Sequence, residues 1–259
     1  MYLKNYQCTS KEEEAFLSSY DASKYERPSV TADIVIFTLD EDDDLNILLI
    51  KRGGYPYKNR WAIPGGFLDV GKESLDDAAA RELKEETNVE GVFLNQLYTF
   101  GDPNRDPRTT VVTVAYMALV PKQALNISAG DDANDAKLFK ITYDVNGIIL
   151  KSNDTIVYES ALAFDHADII KLAINRLRNR IDYTDDAFNL LKDKNCFAIS
   201  ELKKIYEAIK NKSLNLSNFH TMFLREYVKS GKAVELEQTR ITKGKPTRLY
   251  KYIGGKRYE

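Results

Sequence analysis

The chain has 259 residues, with 37 Lys/Arg against 39 Asp/Glu and an apolar fraction of 43%. This is ordinary globular composition, with room for one large domain or two modest ones. No apolar run approaches the ~20 residues needed to cross a bilayer, the N-terminus has no signal-peptide pattern, and Cys8 and Cys196 are too few for a disulfide framework or a zinc site. No membrane partner is expected, and a reduced cytoplasm is the expected setting. The near-neutral total hides an asymmetry: residues 182–259 hold 16 Lys/Arg against 10 Asp/Glu, and residues 1–181 hold 21 against 29. An acidic first part and a basic second part suggest two tasks.

In chain order, residues 1–30 read as a leader, with a short helix around 11–18 and a Tyr-rich stretch ending at Pro28. Strands are predicted over 33–39 and 46–50, and the acidic turn Asp40–Asp44 makes them a hairpin. The loop KRGGYPYKNRW follows (Lys51, Arg52, Tyr55, Tyr57, Lys58, Arg60, Trp61). It reads either as surface plus a packed Trp, or as cations and rings that neutralise phosphate and stack a base. A helix is predicted over 75–87: Ser74 is its N-cap, Asp77 completes a capping box, and Asn88 stops it.

At about 100° per residue, Leu75, Ala78, Ala79, Glu82, Glu86 and Val89 share one face of this helix. Glu85 lies at the margin, and Asp77, Lys84 and Thr87 point away. Acid-rich helix faces are usually solvated. Here the acids share the inward face, where unpaired carboxylates cost free energy and repel one another. A hard divalent ion such as Mg²⁺ or Mn²⁺ among oxygen ligands would offset that cost.

Further strands are predicted over 92–100 and 109–119, joined by GDPNRDPR, a turn that carries Arg105 and Arg108. The acidic loop 129–139 holds Asp131 and Asp132. Strands at 137–141, 147–150 and 155–158 precede a helix over 159–181, whose apolar stripe (Ile169, Ile170, Ala173, Ile174, Leu177, Ile181) is a core or dimer contact. His166 reads as structural or capping. From Asp182 onward, helices are predicted over 185–191, 201–210 and 218–229, capped by Thr184, Ser200 and Ser217. Strands 233–237 and 247–253 then flank a basic turn. Three helices and a basic hairpin describe a winged helix-turn-helix, with Arg225 on the third helix placed to face a DNA groove and Arg240, Lys243, Lys245, Arg248 and Lys251 on the wing placed to meet its phosphates. Such modules also serve as dimerisation or packing domains. Asn218, His220 and Thr221 are further groove-facing candidates.

The segment from Pro64 to Val89 resembles the Nudix hydrolase signature, with Glu73, Arg81, Glu82, Leu83, Glu85, Glu86 and Val89 in register. Two positions depart from it: the Gly66–Glu73 spacing is one residue longer, and Asn88 stands where Gly is usual. The stretches KRGGYPYKNRWAIPGGF and TFGDPNRDPRTTVVTVAYMALV resemble Nudix proteins of the ADP-ribose pyrophosphatase type and related transcription regulators of NAD and sugar metabolism. The resemblance implies an α/β fold, a Nudix α/β/α sandwich with a mixed sheet over 1–181, followed by a small winged helix-turn-helix domain over 182–259. It implies Glu82, Glu85 and Glu86 as ligands of Mg²⁺ (or Mn²⁺). Arg81 and Glu73 would hold the site together, and Glu85, Glu82 or one of Asp131 and Asp132 would act as base. Gly66, Arg52, Arg105 and Arg108 would meet the substrate, a nucleoside diphosphate linked to a group X. Two functions follow. One is a homodimeric hydrolase, cleaving most naturally ADP-ribose to AMP and ribose 5-phosphate. The other is a DNA-binding transcription regulator that senses ADP-ribose or a sugar. The complete set of carboxylates favours the first, and the basic second part favours the second.

Overall fold

The computed structural model describes residues 6–92, 94–127, 133–145, 147–242 and 245–254, with the backbone alone at 133, 134, 242 and 245. After the short helix α1 (Lys11–Ser19), strands β1 (Ser29–Leu39) and β2 (Leu45–Arg52) form the expected hairpin, with Phe37 opposite Ile47. Its turn is fixed by Asp40, whose Oδ1 accepts from the backbone N–H of Asp42 (3.0 Å) and Asp44 (2.9 Å). Two strands too short to show a period in the sequence, β3 (Trp61–Ala62) and β4 (Gly65–Phe67), pair with β2 and β1. Helix α2 (Leu75–Thr87) follows, then β5 (Asn95–Phe100), β6 (Val111–Leu119), β7 (Ala133–Asp144), β8 (Gly147–Ser152) and β9 (Thr155–Tyr158). Strand order is β5-β6-β1-β2-β7-β8-β9. Strand β1 is parallel to β6 and antiparallel to β2, so the sheet is mixed.

Alternation along β1 builds both layers. Ala32, Ile34 and Ile36 join Ala78, Ala79 and Leu83 of α2 on one face. Val35 and Phe37 join α3 (His166–Arg180) on the other. The stripe of α3 is core: Ile169, Ile170, Ala173, Ile174, Leu177 and Ile181 are all buried within the chain, so it offers no open dimer face. This helix starts at His166 rather than at 159. Residues 159–161 form a 3-10 turn, the Ala163 N–H donates to the Trp61 carbonyl (2.9 Å), and Phe164 adopts φ +50°. The pairing with Trp61 takes this stretch out of the helix, although its helical pattern is continuous in sequence.

The second part contains α4 (Ile199–Lys210), α5 (Leu216–Phe223) and the hairpin β10 (Ala233–Thr242)–β11 (Lys245–Tyr252). Helix starts differ from expectation. Asn215 rather than Ser217 caps α5, accepting from the Asn218 N–H (3.0 Å), and Ala198 rather than Ser200 is the N-cap of α4, its N–H donating to Glu201 (2.6 Å). The stretch expected as a helix over 185–191 is a 3-10 turn, Asp186–Leu190. The expected 218–229 helix changes after Phe223 to the wider π pitch over Leu224–Val228. Aromatic packing explains the shape: Phe188 lies edge-on to Tyr227 (4.9 Å) and Phe223 edge-on to Tyr250 (5.0 Å), with all four rings buried. The apolar core runs without a break from the sheet through α3 into these rings. Arg178 adds a polar tie, its Nε donating to the Ile209 carbonyl (2.9 Å) and its Nη2 to the Tyr143 hydroxyl (2.6 Å).

Candidate functional site

Helix α2 forms for local reasons. The Ser74 hydroxyl accepts from the Asp77 N–H (3.2 Å), and the Asp77 carboxylate accepts from the Ser74 N–H (3.1 Å). At the other end Asn88 takes the left-handed conformation, φ +54°, and its N–H donates to the Lys84 carbonyl (2.7 Å). This is the geometry for which Gly is usual, and Asn is among the few other residues that tolerate it. Glu82 and Glu86 are buried and Glu85 is exposed, in line with the helical projection. Thr87 departs from the projection. It is fully buried because the segment at Asn126 crosses over it, the Asn126 N–H donating to the Thr87 carbonyl (3.0 Å).

The inward acids meet β4. A Cβ on Gly66 would lie 2.0 Å from Glu82 Oε1, and one on Gly65 would lie 2.3 Å from Asp33 Oδ1. Position 65 therefore requires glycine, because the Ala32 carbonyl (2.7 Å) and Asp33 Cα (2.8 Å) of β1 leave no room either, whereas a side chain at 66 would have to displace the Glu82 carboxylate. Arg81 joins the acids together. Its Nη2 is 3.0 Å from Glu73 Oε1, its Nη1 is 2.7 Å from Glu82 and 3.4 Å from Glu85, and Nη2 also donates to the Phe67 carbonyl (3.2 Å). Arg81 holds the Glu73 carboxyl below the usual range, and Glu73 foremost raises the Arg81 guanidinium in turn. Burial pushes the Glu82 carboxyl up, against the pull of Arg81.

Beside the helix lies a cavity of about 830 Å³. It gathers Arg52, Gly66, Arg81, Glu82, Glu85, Glu86, Arg105 and Arg108 from segments spread over the chain. Glu73 stands behind Arg81 and does not line it. Arg105 is almost wholly buried and is committed to Asp165 (2.7 Å) and Asp33 (3.5 Å). Arg108 is clamped by Asp106 through Nε (3.0 Å) and Nη2 (2.8 Å), sits 5.5 Å from the centre of the Phe67 ring, and stays half-exposed. Arg52 donates from Nε to the Pro56 carbonyl (2.9 Å) and lies 4.9 Å from the centre of the Phe164 ring.

His166, Asp33 and Asp165 belong to this site and were not marked for it by sequence. His166 is buried, and its Nδ1 accepts from the Ile63 N–H (3.1 Å). That fixes a neutral ring, and desolvation holds its pKa low. This agrees with a structural role for His166. Asp33 sits in an apolar strand, and its partner lies 72 residues away. No local pattern could announce such a contact.

Asp131 and Asp132 lie outside the described residues, as does Lys243; Lys245 lies on β11. Among the described residues, no three acidic, histidine or cysteine side chains are drawn into one compact cage. The Arg81 guanidinium supplies the positive charge between Glu82 and Glu85. The donor set is nonetheless all oxygen and partly buried, which is the chemistry that fits a hard divalent cation.

In the second part, Arg248 pairs with Glu235 (3.3 Å), Arg240 with Glu201 (2.9 Å) and Arg225 with its neighbour Glu226 (2.6 Å). All three cations are exposed, Arg240 and Arg248 on the hairpin and Arg225 on the π turn after α5.

Comparison with known proteins follows this division. Residues 28–143 match the NUDIX domain and residues 187–252 match the NrtR DNA-binding winged helix domain. The ADPR responsive transcriptional repressor NtrR of Acinetobacter baylyi is 34% identical over 245 residues, covering 93% of this chain and 88% of that protein. The ADP-ribose pyrophosphatase of Methanocaldococcus jannaschii is 37% identical over 147 residues, covering 57% of this chain and 73% of the enzyme. The crystal structure of Shewanella oneidensis NrtR complexed with a 27mer DNA superposes with a TM-score of 0.67 at 29% identity, covering 86% of this chain and 93% of that one. The relation runs along nearly the whole length, through the acid-bearing helix and the basic hairpin alike, and the chain belongs to the Nudix proteins that carry an NrtR-type winged-helix domain.

Proposed function

We propose that the protein is a DNA-binding transcription regulator whose Nudix cavity senses ADP-ribose. The observation that carries this reading is the relation to an ADPR responsive repressor through both halves of the chain, over 93% of its length. The geometry supports it. Arg108 presents a half-exposed guanidinium at the cavity wall, suited to a pyrophosphate. Helix α3 begins at the Asp165–Arg105 pair and ends where Arg178 grips Ile209 of α4, so cavity and winged helix share a rigid element. The exposed arginines of the hairpin can exchange their weak carboxylate partners for DNA phosphates. A gel-shift assay with DNA from upstream of the protein's own gene tests the reading. A salt-sensitive shift is expected, changed by ADP-ribose and weakened by Arg248→Ala. No shift at low salt, or a shift that ignores ADP-ribose, would overturn it. Two-fold DNA sites call for a homodimer, which light scattering reads.

A second reading is favoured by one observation: the acids Glu73, Glu82, Glu85 and Glu86 and the cation Arg81 are all present, and the ion pair between Arg81 and Glu73 is formed. In this reading the cavity also hydrolyses ADP-ribose to AMP and ribose 5-phosphate. Glu82, Glu85 and Glu86 would hold Mg²⁺ or Mn²⁺, which when bound lowers the pKa of water and offsets charge on the leaving phosphate. Glu73 holds Arg81, Arg81 orients Glu82, and Glu85 or Glu82 takes the proton of the attacking water. Appearance of AMP with Mg²⁺, and its loss in Glu86→Gln, would support this. A wild-type protein that binds ADP-ribose and leaves it intact would confine the function to sensing.

A further inference from the structure

Among the described residues, three Phe or Tyr rings line the cavity beside the His166 imidazole: Tyr55, Phe67 and Phe164. Two are held by packed or clamped neighbours. Phe164 has the Arg52 guanidinium 4.9 Å from its centre and the Tyr57 ring edge-on at 4.7 Å. Phe67 carries Arg108 at 5.5 Å, and Arg108 is clamped in turn by Asp106. Tyr55 is different. It is 83% exposed against 47% for Phe67, among the described residues no other ring packs on it, and the cation beside it, Lys58 Nζ at 5.8 Å from the centre, belongs to an exposed side chain.

The loop that presents Tyr55 is closed by backbone hydrogen bonds. The Arg52 N–H donates to the Arg60 carbonyl (3.0 Å), the Asn59 N–H to the Arg52 carbonyl (2.8 Å) and the Arg60 N–H to the Tyr57 carbonyl (3.0 Å). The Arg52 side chain ties the middle of the loop through the Pro56 carbonyl (2.9 Å). A largely exposed ring on a fixed loop at the wall of a polar cavity loses little freedom when a flat ligand group covers it. A nucleobase offers such a group, and stacking on it does not depend on hydrogen-bond pattern.

We propose that Tyr55 is the stacking platform for the nucleobase of the ligand, with the diphosphate directed toward Arg108. This rests on the nucleoside-diphosphate reading above and adds which end of the ligand faces the 52–60 loop. Calorimetric titration of the full chain with ADP-ribose, AMP and ribose 5-phosphate tests it, in the wild type and in Tyr55→Ala, Tyr55→Phe and Tyr55→Trp.

Tyr55→Ala is expected to weaken ADP-ribose and AMP by about tenfold or more while ribose 5-phosphate is unchanged. Tyr55→Phe and Tyr55→Trp are expected to stay within about threefold of wild type, since both keep a ring. The indole added by Tyr55→Trp should be quenched by AMP and not by ribose 5-phosphate. Tyr55→Ala binding ADP-ribose as tightly as the wild type, or losing all three ligands alike, would overturn the inference and leave the sensing reading standing. A wild type that binds neither ADP-ribose nor AMP would overturn both.

Discussion

The cavity and the winged-helix surface use charge in opposite ways. At the Arg105 end of the cavity the charges are buried and answered by other buried charges: Arg105 is 4% exposed, and its partners Asp33 and Asp165 are 10% and 20% exposed. On the hairpin the pairs are open, with Arg248 70% and Glu235 42% exposed. A buried ion left alone costs several kcal/mol, so its partner must be built into the fold. An exposed pair is worth little and is easily traded. The difference explains why the Arg105 end of the cavity is shaped before any ligand arrives, while the hairpin keeps its cations available for exchange.

The sharpest way to break this comparison is at Arg105. Arg105→Leu strands Asp33 and Asp165, and chemical denaturation should show a loss of roughly 3–5 kcal/mol. A loss below about 1 kcal/mol would mean that water reaches these carboxylates and the charges are not truly buried.

A second test uses pH. His166 is buried and neutral, with its pKa lowered mainly by desolvation; Asp33 and Asp165 oppose the shift, while Arg105 and Arg52 reinforce it. With the folded pKa below the unfolded value, the unfolded chain binds more protons as the solution is acidified. The stability contribution is therefore present above about pH 6.5 and is lost below it, by at most about 1.4 kcal/mol per pH unit. Urea midpoints measured from pH 7.5 to 5.5 should fall more steeply in the wild type than in His166→Gln, and parallel slopes would refute the assignment.

Ser74→Ala removes the N-cap of α2 and should cost about 1 kcal/mol in thermal or urea unfolding. If the cap positions the acids as well, ligand affinity should drop in the same variant. Arg248→Ala should change stability by less than about 0.5 kcal/mol. The slope of log DNA affinity against log salt should become shallower by about 0.9. A stability loss comparable to that of Arg105→Leu would erase the distinction between the two regions.

Much of this was legible in the chain itself. Helix α2, both of its caps and the inward turn of Glu82 and Glu86 follow from local propensity and the 3.6-residue period. The β1–β2 hairpin follows from two apolar runs and an acidic turn, and the ion pair of Arg81 with Glu73 was expected from the resemblance and is formed across eight positions. These are short-range features, in which neighbours in sequence are neighbours in space.

Other features required the folded molecule. The start of α3 moved because residue 163 bonds to Trp61, about a hundred positions earlier. Thr87 is covered by the strand-to-strand segment at Asn126. The commitment of Arg105 to Asp33 and Asp165 spans 72 and 60 residues. By itself the sequence determined which helix carries the acids and that a basic winged helix follows. Only the tertiary structure decided which cations are already answered, which ring on the cavity wall is most exposed, and that one core joins the two parts. Periodicity reports which face of an element is apolar, whereas the partner that meets that face is set by packing between segments far apart in the chain.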